Sequence, residues 1–426
     1  MNKASELEFW ADRLLRRPDN PDPVQSRIVD LLSAFAVGLT TDEGRALARL
    51  HGAQRGTAAT AATVSAIARQ SECDDIELTS CVTPGAVVIP VALAYGRDCS
   101  SENVARAICR GYDAGIIVGR AIGGARALPK TWPTLLAAPL MAAVTHSFLH
   151  DCDRETLVHA MSLALAGSSG SAGRPAGAPS GRWIIFAEAV ARGIHAAEAA
   201  RAGFKGDPLL CSGEWWQTQA GHGNVDQSVF TDPVWPHIGE ADYKPFPIAR
   251  QGATAVEAFQ QLLASGLDPA TIEAIEAFVP AMNVAMLTRP AIAGDRVSLL
   301  CNLGFQLACA AFAPDVLMDP QRGGATPALI DFSKRVTITA APESNNKSSW
   351  PARVMVKTKT RKLVGELEQI RLGAPLRNEA DLREKWQRIL HTDDRRAFFE
   401  NVVNAPSGSH AMLWDWVQHR LAGAAA

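Results

Sequence analysis

Long runs of one charge are missing from this sequence: 42 Lys and Arg stand against 44 Asp and Glu, with neither sign gathered into a block. That balance excludes a nucleic-acid binder, which needs a basic face to displace counterions, and a polybasic membrane anchor. No apolar stretch reaches bilayer-spanning length without a charge or a breaker. Met1 to Arg17 mixes acids, bases and apolar residues, unlike the uninterrupted apolar core of a signal peptide. Cysteines at 73, 81, 99, 109, 152, 211, 301 and 309 include no Cys-x-x-Cys pair, which argues against a zinc ribbon or a dithiol redox motif and for reduced structural thiols. No internal repeat is evident. These absences lead to the expectation of a cytoplasmic protein with a small-molecule ligand and neither nucleic acid nor membrane as partner.

What is present is size and two textures. A chain of 426 residues exceeds one hydrophobic core. From Glu6 to about Ala202, Ala, Leu and Val recur at helical spacing between Gly and Pro breaks. Helices are expected at Ala48 to Ala68, Val87 to Tyr95, Ser101 to Gly119, Thr134 to Phe148, Arg154 to Gly167 (capped by Asp153 or Asp151) and Trp183 to Ala202. The Gly- and Ser-rich Gly167 to Gly181 is either an active-site wall or a surface loop. Beyond Tyr243-Lys244-Pro245-Phe246-Pro247 the texture changes. Thr271 to Val279, Lys334 to Ala341 and Ala352 to Ile370 alternate as strands do, while Gly252 to Ala264 and Val297 to Ala311 stay helical. After Gly373-Ala374-Pro375 the helical pattern returns. The expected fold is therefore mainly α: an all-helical domain over 1–239 plus 376–426, with an inserted smaller α+β domain over 240–375.

The most informative local feature is Glu72-Cys73-Asp74-Asp75-Ile76-Glu77, followed by Thr83-Pro84-Gly85-Ala86 and the apolar run Val87 to Tyr95. Carboxylates set against an apolar element point to acid–base chemistry. The order resembles the acidic signature of the MmgE/PrpD family, which includes 2-methylcitrate dehydratase, cis-aconitate decarboxylase and iminodisuccinate epimerase. Asp30-Leu31-Leu32-Ser33-Ala34-Phe35-Ala36-Val37-Gly38, Gly111-Tyr112-Asp113 to Gly119-Arg120, Ala191-Arg192-Gly193-Ile194-His195 to Phe204, Lys244-Pro245-Phe246-Pro247 and Pro351-Ala352-Arg353-Val354 to Pro375 resemble further family segments in the family's order. The resemblance implies a helical domain that forms a homodimer, a small α+β lid with the site between the two, and proton movement beside a carboxylate with no metal or organic cofactor.

Carried over position by position, it implies catalytic roles for Glu72 and Asp75. Glu72 stands at the signature's first Asp; the competing reading is a solvated acid at a helix end. Asp74 and Asp75 match its Asp-Asp pair, with loop fixing the alternative for Asp74. Arg182 falls where the family has Lys, and would hold a carboxylate bidentately while being a poor proton donor. Lys244 and Arg250 match charged positions at the lid hinge, as anion holders or surface salt bridges. Other positions differ from the family's. Arg69 and Thr83 stand for His, Trp132 for the His of His-Pro-Thr, and Phe305 for a Tyr, while Ala249 and Ala253 occupy positions that often carry Cys or His. Thr83, Trp132 and Phe305 would then line the substrate. His146, His150 and His159 offer no third metal ligand, and Trp215 and Trp216 read as packing.

Three functions are compatible with this pattern. The first is a lyase or isomerase of a small di- or tricarboxylic acid. The second, preferred here, is a lyase or isomerase that dehydrates, isomerises or cyclises a less anionic, partly apolar intermediate against Trp132 and Phe305. The third is a non-catalytic binding paralogue.

Overall fold

The structure is a computed structural model, and it describes all residues except 1–4, 19–22, 54–55, 129, 173–179, 212, 219–224, 231, 233–237, 343–348, 368–378, 407 and 426. The chain divides into two compact units, one of residues 1–241 and 390–426 and one of residues 242–389.

The first unit is helical and is built around Pro133–Leu149, every residue of which is buried. Pro133 opens this helix at a position where a missing N–H costs nothing, and the Ala- and Leu-rich sequence that follows is apolar on all sides, as a central helix must be. Ser101–Ala121 and Arg182–Arg201 pack against it through glycines. A Cβ on Gly115 would lie 2.2 Å from Met141 Sδ, and one on Gly193 would lie 2.1 Å from the Pro139 carbonyl oxygen. Side chains at these two positions would hold the helix backbones apart. Glu6–Arg16 starts with a reciprocal capping box, the Glu8 N–H donating to Ser5 Oγ at 3.2 Å and the Ser5 N–H to Glu8 Oε2 at 2.7 Å. Arg154–Ala166 is capped by Asp153, which accepts the Thr156 N–H at 2.9 Å. The expected single helix over Ala48 to Ala68 is two helices, Asp42–Ala53 and Thr57–Gln70. Gly56 at φ 121° separates them, in a conformation that side chains rarely adopt. No helix among the described residues is long and apolar enough to cross a membrane.

The second unit carries a four-stranded sheet of β1 (Ile272–Pro280), β2 (Val336–Ala341), β3 (Ala352–Thr358) and β4 (Lys362–Leu367) in the order β2-β1-β3-β4. β1 and β2 are parallel with Ile275 beside Val336, and the other two pairings are antiparallel. The expected strand over Ala352 to Ile370 is a hairpin. The polar run Lys357 to Lys362 turns it, with the Thr358 N–H donating to the Arg361 carbonyl at 2.9 Å; residues 368–370 lie outside the described residues. Helix Arg250–Ala264 packs on β3 and β4, and a Cβ on Gly365 would come within 2.7 Å of the Ala258 carbonyl. The helical segment expected over Val297 to Ala311 is likewise two helices, Arg296–Cys301 and Leu303–Phe312, because the Asn302 side chain accepts the Phe305 N–H at 2.7 Å and starts a new helix. Helix Glu379–Ile389 groups with this second unit, whereas the sequence division assigned it to the helical domain. Its Lys385 and Trp386 are buried, with Lys385 Nζ 5.6 Å from the Tyr243 ring centre.

Candidate active site

The acidic stretch is the connection between helices Thr57–Gln70 and Gly85–Tyr95, and its four carboxylates are divided among three sets of partners. At Glu72 the backbone turns left-handed, with φ 56°. That conformation costs a non-glycine residue about 1 kcal/mol. The turn brings the Glu72 carboxylate back onto the end of the preceding helix, 2.8 Å from Arg69 Nη1. Asp74 approaches the same nitrogen at 3.3 Å and is fully buried, whereas the Glu72 side chain keeps 15 % of its surface exposed. Burial pulls the Arg69 pKa down, and the carboxylates of Asp74 and Glu72 more than reverse it, leaving it above its ordinary value.

Asp75 points the other way. Its Oδ2 accepts the Tyr112 hydroxyl at 2.7 Å, its Oδ1 accepts the Gly85 N–H at 3.0 Å, and Arg27 Nη1 is 3.7 Å away. Burial raises its pKa, against the pull of Arg27 and the two donated hydrogen bonds. This carboxylate joins the start of Gly85–Tyr95 to the middle of Ser101–Ala121 and to Val24–Gly38. Glu77 is engaged by the Ser80 N–H at 2.7 Å and by Arg120 at 3.0 Å.

Trp132 sits at the start of Pro133–Leu149, its N–H donating to the Gly170 carbonyl at 2.8 Å. Its indole stacks on Phe186, with centres 5.5 Å apart and planes 22° apart, and meets Trp183 edge-on at 5.9 Å. Trp132 thus belongs to an aromatic cluster with Phe186 and Trp183, without the expected Phe305, and this cluster also carries charge. The Arg182 guanidinium carbon lies 4.5 Å from the Trp132 ring centre and 5.0 Å from that of Trp183. The Arg69 guanidinium lies 5.4 Å and 6.0 Å from the same two rings. Cations are held over indole faces by the ring quadrupole, and arginine more readily than lysine because its planar group is weakly hydrated. Thr83 is buried, its N–H donating to Thr134 Oγ1 at 3.1 Å.

Glu72, Arg69, Arg182 and Trp132 are thus drawn into one cluster, and Asp75 is placed in a separate network. Lys244, Arg250 and Phe305 belong to the second unit. Lys244 and Arg250 are both buried, which overturns the surface-salt-bridge alternative for them. Arg250 Nη2 is bound to Asp242 Oδ2 at 2.6 Å, and Nη1 lies 3.3 Å from Thr254 Oγ1. Phe305 is fully buried at the start of Leu303–Phe312. Sequence reasoning left Arg69 and Trp183 out of the site. The signal for Arg69 was its place three residues before Glu72 at a helix end, where such pairs meet; Trp183 was marked only by being next to Arg182. Among the described residues no group of three or more His, Cys, Asp or Glu could hold a metal ion.

A carboxylate loop beside guanidiniums on an aromatic platform is an arrangement that can hold an anion next to an acid–base group. Residues 24–225 match a family model described as the MmgE/PrpD N-terminal domain, which makes this segment a domain of the MmgE/PrpD family. No curated protein matches the chain. Members of this family are typically lyases and dehydratases, so a lyase-type enzyme is the activity at family level.

Proposed function

We propose that this chain is a lyase or isomerase that moves a proton next to the carboxylate of a partly apolar substrate. The observation that carries the reading is the shared platform: two guanidiniums over the Trp132 and Trp183 rings, with Glu72 2.8 Å from one of them. Arg182 binds the substrate carboxylate, with Arg69 adding positive potential. The Trp132 ring, backed by the fully buried Phe186, receives the apolar body, and Glu72 is the base. Asp75 is a positioning residue, because its oxygens already accept from Tyr112 and Gly85. Arg250 is committed to Asp242, and Phe305 and Thr83 are buried packing residues, each of its own unit.

Glu72 removes a proton from the carbon next to the carboxylate, and the electron pair is held as an enolate whose charge faces the guanidiniums. Delivering a proton from the same carboxyl group, which exchanges with solvent between the two transfers, to another carbon completes an isomerisation with one acid–base group. Expelling a β-hydroxyl as water from the same enolate also needs a proton donor at the leaving oxygen, so the single carboxylate favours the proton shift.

The test is solvent deuterium incorporation into medium-chain alkenoic acids, run beside citrate, cis-aconitate and 2-methylcitrate. Exchange into the alkenoates is expected. Glu72→Gln should lower its kcat by about a hundredfold or more, the usual weight of a general base. Arg182→Ala should act mainly on KM. Turnover of the tricarboxylates alone overturns this reading for that of a conventional dehydratase; exchange indifferent to Glu72→Gln removes Glu72 as the base.

A further inference from the structure

A second constellation in the helical unit is used by none of this chemistry. Helices Asp42–Ala53, Thr57–Gln70 and Arg182–Arg201 line an open cleft of about 590 Å³. Leu47, Leu50 and Ile184 give it apolar walls, and Tyr95, Glu188 and Glu198 are among its polar groups. At one end the Tyr95 hydroxyl donates to Glu198 Oε1 at 3.2 Å. Behind them is His146, fully buried, with neither ring nitrogen hydrogen-bonded. Its Nε2 is directed at the same Glu198 oxygen from 4.0 Å, too far for a hydrogen bond. The imidazole stays neutral: burial, followed by His150 and Arg201, lowers its pKa to about 3. Arg201 itself does not line the cleft.

A buried polar group without a partner is costly, and a neutral imidazole facing a carboxylate across such a gap leaves room for a donor shared by both. With the imidazole proton on Nδ1, three acceptors converge: Glu198 Oε1, the Tyr95 hydroxyl oxygen and His146 Nε2. A primary ammonium has three N–H donors. The surrounding rings suit a cation as well, Tyr95 and His146 lying 4.6 Å apart and His146 and His150 4.4 Å apart. Glu198 is 44 % exposed on the helix surface and lines the cleft, so its carboxylate is within reach of a ligand there. We propose that this cleft is a binding site for a primary amine carrying an apolar chain, with the ammonium at Glu198, Tyr95 and His146 and the chain along Leu47, Leu50 and Ile184.

Isothermal titration calorimetry of the full chain with n-hexylamine, hexanoate and N,N,N-trimethylhexylammonium tests this. Saturable binding of hexylamine is expected, with hexanoate silent and the trimethyl analogue weaker because it has no N–H to donate. Glu198→Gln should weaken hexylamine by about tenfold or more, as loss of a charge-assisted contact does. Being exposed, that position leaves folding intact, which a circular-dichroism melt verifies; Tyr95→Phe, which removes one acceptor, gives an independent second loss. Equal binding of hexanoate, an unchanged affinity in both variants, or no binding of hexylamine overturns the proposal.

Discussion

Gly85→Ala examines the carboxylate loop at its tightest point. Gly85 opens the helix Gly85–Tyr95 and is not among the residues with positive φ, so its backbone would accept any side chain. What forbids one is space. An added Cβ would lie 2.7 Å from Asp75 Oδ1, 2.7 Å from Tyr112 Oη and 3.1 Å from Asp75 Cγ. Both oxygens belong to the network in which Asp75 accepts from Tyr112 and Gly85, so the methyl group must displace the carboxylate from its donors. Hydrogen bonds to a charged group contribute about 1.5–3 kcal/mol each, and Ala recovers about 1 kcal/mol or less over Gly through helix propensity. Displacing one bond gives a net destabilisation of about 0.5–2 kcal/mol and displacing both about 2–5 kcal/mol. Gly423→Ala is the matched control. It lies within helix His410–Ala425, an added Cβ there meets nothing within 4 Å, and it should stabilise by up to about 1 kcal/mol. Urea midpoints read both, with unchanged slopes certifying that stability alone has changed. In a Tyr112→Phe background, where the hydroxyl contact is gone, Gly85→Ala should cost clearly less, a coupling that the double-mutant cycle measures. If Gly85→Ala is as harmless as Gly423→Ala, the Asp75 network as described here is wrong.

Two further expectations concern buried charge. Burial raises the Asp113 pKa to about 8 against the pull of Arg17, 2.8 Å away, and Arg110. A carboxyl group whose folded pKa is raised favours folding at low pH, and that contribution is lost as pH climbs from about 4 through about 8. The wild type should therefore lose stability over this window relative to Asp113→Asn, by an amount on the order of a few kcal/mol; parallel curves of urea midpoint against pH for the two proteins would refute it. In the second unit, Asp242→Asn leaves the fully buried Arg250 without its charge partner. It should destabilise that unit by about 3–5 kcal/mol, while Arg250→Met with Asp242→Leu should restore much of the loss, as monitored by hydrogen exchange along β1, β3 and β4.

Much of the fold was legible because its causes are local. Asp153 caps its helix whatever lies elsewhere in the chain. The uniformly apolar Pro133–Leu149 can only be a central helix, and the alternation in Ala352–Thr358 can only be a strand with one face covered. Breaks were missed where one residue outweighs the periodicity around it, as at Gly56 and Asn302. The four carboxylates look alike in the sequence, and only their partners distinguish them. Glu72 meets Arg69, three residues back, a pairing that local spacing allows, yet Asp75 is held by Tyr112, thirty-seven residues on. Trp132, Arg182, Trp183 and Phe186 form one platform because the two helices that start at Pro133 and Arg182 begin side by side. The sequence by itself determined the helical frame, the alternating strands and the presence of a carboxylate loop, since these follow from short-range sterics, capping and hydrophobic period. Only the tertiary structure decided which acid faces the guanidiniums and which one ties helices together, because burial and charge pairing depend on neighbours that the chain brings together when it packs.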